Sequence, residues 1–177
     1  MTNEGPPPPS AEDAHREAMR AAIKRIDRVN DWLQLGGALP PEEYRRFRDA
    51  GITHVVDMRE DAEVNVDLAR LTELQITRLQ VPVPNHGAPT IKQLLAIATW
   101  LDTKDETGEV YVHCGGGFGR AATMAVGLLI YSGARLDDAV QQVREARPEI
   151  RINADQLAWL RSVEERVSAE TSKEDLG

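Results

Sequence analysis

The sequence predicts an α/β domain with a central, mostly parallel sheet flanked by helices on both faces. Two observations predict it. After residue 30, short apolar or β-branched runs alternate with segments whose apolar residues recur at helical spacing, the pattern of strands joined by crossover helices. The run "ITHVVDM" is β-branched and mostly apolar, as a buried strand is. A chain of 177 residues is long enough to bury such a core in one domain with a tail at either end.

The elements follow in order. Residues 1–10 read as a Pro-rich flexible tail; "GPPPPS" within it is either a stiff linker or a docking peptide for a proline-binding module. Residues 11–30 read as a leading helix, with Ala18, Ala22, Ile26 and Val29 on one face. Residues 31–167 read as the folded domain. In it, "WLQLGGAL" is a strand and turn, and "PPEEYRRFRDAG" is a helix opened by proline and closed by Gly51. "ITHVVDM" is the buried strand, residues 61–74 a helix, and "ITRLQVPV" a further strand. "PNHGAP" is a loop, and a helix capped by Thr90 runs to about Thr103. "EVYVHC" is a strand and "RAATMAVGLLIYSG" a helix apolar nearly all round, so buried. "LDDAVQQVREARP" is a helix stopped by Pro148, and "NADQLAWLRSVEERV" a last helix with Leu157, Leu160, Val163 and Val167 inward. Residues 168–177 read as a polar tail. Ligands of such sheets bind at the strands' carboxyl ends, so the loops Asp57–Asp61, Pro84–Pro89 and Cys114–Arg120 are expected to converge.

Composition limits the function. The formal net charge of −8 argues against nucleic acid and anionic membranes as partners, but is silent on one local anion pocket. No apolar run approaches the ~20 residues of a membrane span, and the N-terminus lacks a secretory apolar stretch. A single cysteine, Cys114, excludes an intrachain disulfide and suits a reducing compartment. The expectation is a cytoplasmic protein without membrane attachment. The oligomeric state is open.

The stretch "HCGGGFGRA" carries the chemistry. A strand feeds a glycine-rich turn, and the turn feeds a buried helix. Glycines let backbone N–H groups turn inward, the helix start adds its positive end, and Arg120 offers a fork for two phosphate oxygens. Cys114 at the base of this cradle is then favoured as thiolate and is a candidate nucleophile toward phosphorus. The backbone of Gly115, Gly116, Gly117, Phe118 and Gly119 is the candidate phosphate loop, and His113 a candidate support. The competing reading is a lone buried cysteine acting as a small hydrophobe. "GGGFG" also lacks the Gly-Lys-Ser/Thr of a nucleotide-binding loop.

"HCGGGFGR" resembles the His-Cys-X5-Arg signature of the cysteine-dependent protein tyrosine phosphatases, and its Gly-Phe-Gly-Arg ending resembles the compact, atypical dual-specificity type. The likeness extends over roughly residues 30–167, through "WLQLGGAL", "GITHVVDMRE", "VPVPNHGAP" and "VREARPEIRINADQ". It implies a phosphatase-like fold, Cys114 as nucleophile, Arg120 as phosphate-binding arginine, and no metal or organic cofactor. The implied partner is a phosphorylated protein or small phosphomonoester.

Two positions depart from the family pattern. The family's general-acid aspartate, in a stretch resembling "PIPDHGVP", is Asn85 here, and an amide cannot donate a carboxylic proton. His86 and Asp57 are candidate substitutes. The Ser or Thr that usually follows the arginine is Ala121, and Thr123 lies further round the helix. Arg59 and Arg151 are candidates for substrate contacts. Asn153 and Gln156 are candidates for positioning water, against commoner roles as helix cap and solvated surface. The expectation is a protein phosphatase working through phosphocysteine, slowed by Asn85 and Ala121. The alternative is a catalytically weak pseudophosphatase that binds phosphorylated ligands. Sulfur transfer fits the His-Cys…Arg context poorly, and arsenate reduction generally needs further cysteines.

Overall fold

A computed structural model describes residues 10–102 and 108–174. The expected tail at residues 1–10 therefore lies, apart from Ser10, outside the described residues, as do Thr103 and residues 175–177. Ser10 caps the first helix, accepting from the backbone N–H of Asp13.

The elements are α1 (Ala11–Ile23), β1 (Ile26–Arg28), β2 (Leu33–Gly36), α2 (Arg45–Asp49), β3 (Ile52–Asp57), α3 (Leu68–Glu73), β4 (Thr77–Gln80), α4 (Ile91–Asp102), β5 (Glu109–His113), α5 (Arg120–Tyr131), α6 (Leu136–Ala146) and α7 (Ala154–Glu174). Single 3₁₀ turns precede α2 (Pro41–Glu43) and α3 (Asp61–Glu63). The described strands form one sheet in the order β1-β2-β5-β3-β4. Only the β1–β2 pair is antiparallel. The mostly parallel, helix-flanked sheet is the expected fold class.

Both faces are covered. Val110 and Val112 of β5 enter one apolar cluster with Leu94 and Ile97 of α4, nearly all of α5, and Leu160 and Val163 of α7. Tyr111, between them, points to the other face and packs with Phe47 of α2, Ile52 and Val55 of β3, and Leu71 of α3. This two-residue alternation lets one short strand support two layers. Eleven of the twelve residues of α5 are buried, which is why its sequence is apolar all round.

Three boundaries differ from expectation. The leading helix does not run through residues 11–30: it ends at Ile23, and Ile26–Arg28 form β1, paired with Gln34–Gly36. Ile26 packs beneath the sheet in the smaller cluster, which a continuing helix would not allow. Residues 61–74 are not one helix. A capping box between Glu60 and Glu63 closes one 3₁₀ turn, Val64 is extended, and the Asp67 carboxylate caps α3 through the Arg70 N–H at 2.9 Å. Residues 168–174 are not a loose tail but the last turns of α7, supported by the Arg166–Glu170 pair.

The register sets the site. Gly36, His113, Asp57 and Gln80 lie side by side at the carboxyl ends of four neighbouring strands.

Candidate active site

The loop from Cys114 to Gly119 leaves β5 and enters α5, and the carbonyls of Cys114, Gly115, Gly116 and Phe118 are tied to the scaffold. His113 Nδ1 lies 3.2 Å from Cys114 O; a carbonyl only accepts, so the neutral ring carries its proton on Nδ1. Gly115 O accepts from Ala38 N at 3.0 Å and Phe118 O from Arg151 N at 2.7 Å. Gly116 O accepts from the Arg147 guanidinium at 2.8 Å. In a trans peptide the next N–H points opposite to each carbonyl. The N–H groups that follow these carbonyls therefore face the pocket. One is seen directly: Gly117 N donates to Cys114 Sγ at 3.2 Å. Gly117 is required there, because its φ is +77° and a Cβ would overlap the Gly36 carbonyl.

Arg120 opens α5 and is buried, yet it reaches the pocket. Its NH1 donates to Glu63 Oε2 at 2.7 Å and to Val83 O at 2.9 Å, and its NH2 to Glu63 Oε1 at 2.6 Å. Of the five N–H donors of a guanidinium, this leaves Nε–H and one NH2 proton without a protein oxygen among the described residues. Those two share one edge, which is the fork that matches two oxygens of a phosphate. Glu63 thus fixes which edge is presented. Hydrogen bonds from Arg120 outweigh partial burial and draw the Glu63 carboxyl down to about 2; the same pairing raises Arg120.

These parts meet in one cavity of about 330 Å³, lined by Asn85, His86, Cys114, Arg120, Arg151 and Asn153 among others. Cys114 lies at its base, 4% exposed. Asn85 and His86 are exposed on its rim. His86 adopts a left-handed φ of +61°, and its carbonyl accepts from Asn153 Nδ2 at 2.8 Å. Gln156 Nε2 donates to Gly87 O at 2.9 Å, so the start of α7 pins the 84–89 loop. Asn153 and Gln156 also form a reciprocal cap: Gln156 N donates to Asn153 Oδ1, and Asn153 N to Gln156 Oε1. Gln156 is buried, which corrects the solvated role expected for it.

Two candidates lie elsewhere. Asp57 is fully buried and does not line the Cys114 cavity. Arg59 Nε and NH2 donate to it at 2.9 and 2.8 Å, and Arg78 NH2 at 2.8 Å. Burial works to raise the Asp57 carboxyl, but the Arg59 and Arg78 guanidinium groups outweigh it and hold it well below the usual range. With no proton to give near neutral pH, Asp57 is an anchor and not the substitute acid. Arg59 is buried against the same carboxylate and does not line the Cys114 cavity either. His113 is buried above this pair; burial, ahead of the attraction of Asp57, lowers it to about 4 and keeps it neutral.

The Thr123 hydroxyl donates to Gly119 O at 2.9 Å, inside its own helix, and Ala121 is fully buried. Neither brings a hydroxyl to Cys114. Glu63 and Arg147 were not singled out from the sequence. Each pairs with a residue far along the chain, and neither carries a local motif. Among the described residues, no group of three His, Cys, Asp or Glu is arranged to hold a metal ion.

Comparison with known proteins agrees with this geometry. The model of a family described as "PTP-SAK: Swiss Army Knife protein, DSP-PTPase phosphatase domain" matches residues 39–176. Dual specificity protein phosphatase 19 of Mus musculus is 31% identical over 137 residues, covering 76% of this chain and 60% of its own length. Phosphatidylglycerophosphate phosphatase PTPMT2 of Arabidopsis thaliana is 23% identical over 144 residues, 80% of this chain and 63% of its own. The chain thus spans about three fifths of the length of these two relatives. The crystal structure of Tk-PTP in the active form superposes with a TM-score of 0.73 at 29% identity, covering 81% of this chain and 98% of that one.

Proposed function

The chain belongs to the cysteine-dependent protein tyrosine phosphatases, in the compact atypical dual-specificity group, and on that footing we propose that it hydrolyses phosphomonoesters through a phosphocysteine at Cys114. The observation that carries this reading is the loop itself. Its carbonyls at Cys114, Gly115, Gly116 and Phe118 are bound to the scaffold, its N–H groups face a cavity with the thiol at the base, and Glu63 leaves Arg120 one free forked edge.

The steps follow from that geometry. The phosphoryl oxygens take the loop N–H groups and the Nε–NH2 edge of Arg120. These donors cancel charge where it gathers on the equatorial oxygens. Cys114 Sγ attacks phosphorus in line, the bond to the ester oxygen breaks, and the leaving oxygen takes a proton from solvent water. Asn85 stands at the rim, where an acid would serve, and cannot supply that proton. Water then attacks phosphorus, the P–S bond breaks, inorganic phosphate leaves and the thiolate returns. No hydroxyl from residue 121 eases this departure.

Positioned acid–base catalysis contributes roughly 10²–10⁴ in rate, so the Asn85 deficit falls on poor leaving groups and spares activated ones. The protein is read as a slow phosphatase of phosphoproteins or small phosphomonoesters, acting in the cytoplasm. Among the described residues no helix is long and apolar enough to cross a membrane. The paired departures at Asn85 and Ala121 favour a second reading, a phospho-ligand binder with little turnover. PTPMT2, by its name, acts on phosphatidylglycerophosphate. The loop here has no lysine, and the chain is acidic, which favours a phosphoprotein over a polyanionic lipid headgroup.

The test is a leaving-group series on purified protein and on Cys114→Ser. The enzyme reading expects Cys114-dependent turnover of an activated aryl phosphate, falling steeply toward phosphotyrosine and alkyl phosphates. Absence of turnover and of any burst with the activated ester removes it. Tight binding of a phosphopeptide without product release supports the binder.

A further inference from the structure

Arg147, just past α6, is fully buried. Its NH1 donates to Asp27 Oδ2 at 2.6 Å, and its NH2 to Ala22 O and to Gly116 O, both at 2.8 Å. Its guanidinium carbon lies 4.8 Å from the centroid of the Phe118 ring. Its Nε has no hydrogen-bond partner among the described residues. A buried cation with an unpartnered nitrogen is costly, so filling space does not account for it. What it holds together is specific. Gly116 and Phe118 belong to the phosphate loop, whereas Ala22 and Asp27 belong to the leading α1–β1 segment. That segment precedes residue 39, where the family match begins.

We propose that Arg147 is a positioning residue for the phosphate loop, set in place by the leading segment through Asp27 and the Ala22 carbonyl. The inference rests on reading the 114–120 loop as phosphate-binding. The link is one peptide plane. Gly116 O and Gly117 N–H belong to the same rigid unit and point opposite ways. Arg147 holds the oxygen at 2.8 Å, and the N–H meets Cys114 Sγ at 3.2 Å. Fixing one end aims the other. The ring stacked under the guanidinium steadies the next residue of the loop.

The leading segment is itself clamped. Arg25 donates to Asp27 at 3.1 and 2.9 Å, and to both carboxylate oxygens of Glu149 at 2.8 and 2.9 Å. This makes a chain of alternating charge, Arg147–Asp27–Arg25–Glu149. A second tie runs beside it: Gly37 N donates to Ile23 O at 3.1 Å, and Ala38 N to Gly115 O at 3.0 Å. α1 and β1 therefore form a back wall of the loop.

The test uses the full chain with Asp27→Asn and Arg147→Lys. Leu71→Ala, in the smaller core cluster, serves as a control that destabilises without touching these ion pairs. Cys114 is the only thiol, so its alkylation rate against pH reads how well Gly117 N–H and its neighbours support the thiolate. This readout needs no turnover. For Asp27→Asn and Arg147→Lys, loss of an aimed donor is expected to move the alkylation midpoint up by about one pH unit. Orthovanadate affinity is expected to fall about tenfold with the weakened donor set. Leu71→Ala is expected to lower the melting temperature and move neither. A folded Asp27→Asn with the wild-type alkylation profile overturns the inference, whether or not Arg147→Lys folds. So does a Leu71→Ala variant that shifts the profile equally. A wild-type protein that neither turns over phosphomonoesters nor binds vanadate defeats the phosphatase reading, and the alkylation comparison still decides the role of Arg147.

Discussion

Gly117→Ala is expected to be the most damaging glycine substitution of the phosphate loop. The added Cβ would overlap the carbonyl carbon and oxygen of Gly36 and lie 2.7 Å from Gly37 N. These are backbone atoms at the end of β2, so no side chain can rotate away. The φ of +77° adds its own cost. A left-handed residue with a Cβ costs roughly 1–2 kcal/mol, and forced overpacking roughly 1–3 kcal/mol. Together they give about 2–5 kcal/mol, reduced by less than about 1 kcal/mol through the stiffer unfolded chain. Two other glycines separate these contributions. Gly133 has a φ of +101° with open space around it, so Gly133→Ala isolates the conformational cost, about 1–2 kcal/mol. Gly115 has no positive φ and nothing within 4 Å, so Gly115→Ala is near neutral in stability. Urea denaturation of the three variants measures the series. In a chain of this size each kcal/mol moves the melting temperature by about 2–4 °C, which puts the loss for Gly117→Ala near 10 °C. Equal midpoints for Gly117→Ala and Gly115→Ala would mean that the Gly36 backbone does not crowd residue 117.

Other outcomes follow from the site. Asn85→Asp is expected to raise turnover of phosphotyrosine by roughly 10²–10⁴ and to leave an activated aryl phosphate nearly unchanged; no change on phosphotyrosine means another group already supplies the proton. Glu63→Gln weakens the two charge-assisted bonds that aim the Arg120 fork, so kcat/KM is expected to fall about tenfold, whereas a rise would show that Glu63 competes with phosphate instead of aiming the arginine. The buried neutral His113 makes the fold acid-sensitive. Its folded value, about 4, lies below the 6.5 usual for histidine, so the unfolded chain takes the proton first. Its contribution is intact above pH 6.5 and is lost as pH falls toward 4, by about 3 kcal/mol in all. His113→Gln is expected to flatten that part of the stability–pH curve; an unchanged slope removes His113 as its source.

Much of the fold was legible because burial writes itself into local patterns. The all-round apolar α5 and the buried β3 declare their surroundings, and the Cys-glycine-Arg spacing declares an anion cradle. What stayed hidden depends on distant partners. Ile26 continues the helical spacing of Ala18 and Ala22, so the sequence reads as helix through residue 30. The competing force is a strand pairing with β2 and a place for Ile26 in the smaller cluster. Residues 168–174 are polar and look loose, yet a helix already formed by Leu160 and Val163 continues at little cost. Asp57 resembled a pocket acid because it ends a strand beside His113. Arg59, two residues on, and Arg78, on the neighbouring strand, bind it on the face away from Cys114. Glu63 and Arg147 had no local signal, because their meaning lies in carbonyls and charges that only the folded chain brings near.

The most direct measurement is rapid-quench analysis of the protein mixed with an activated aryl phosphate. A burst of phenolate of about one equivalent per chain is expected, with phosphorus bound covalently to Cys114, and neither in Cys114→Ser. Slow decay of that adduct is expected, since Ala121 brings no hydroxyl to the departing thiolate. Turnover that persists in Cys114→Ser, or product formed with no phosphorus on the cysteine, would contradict it.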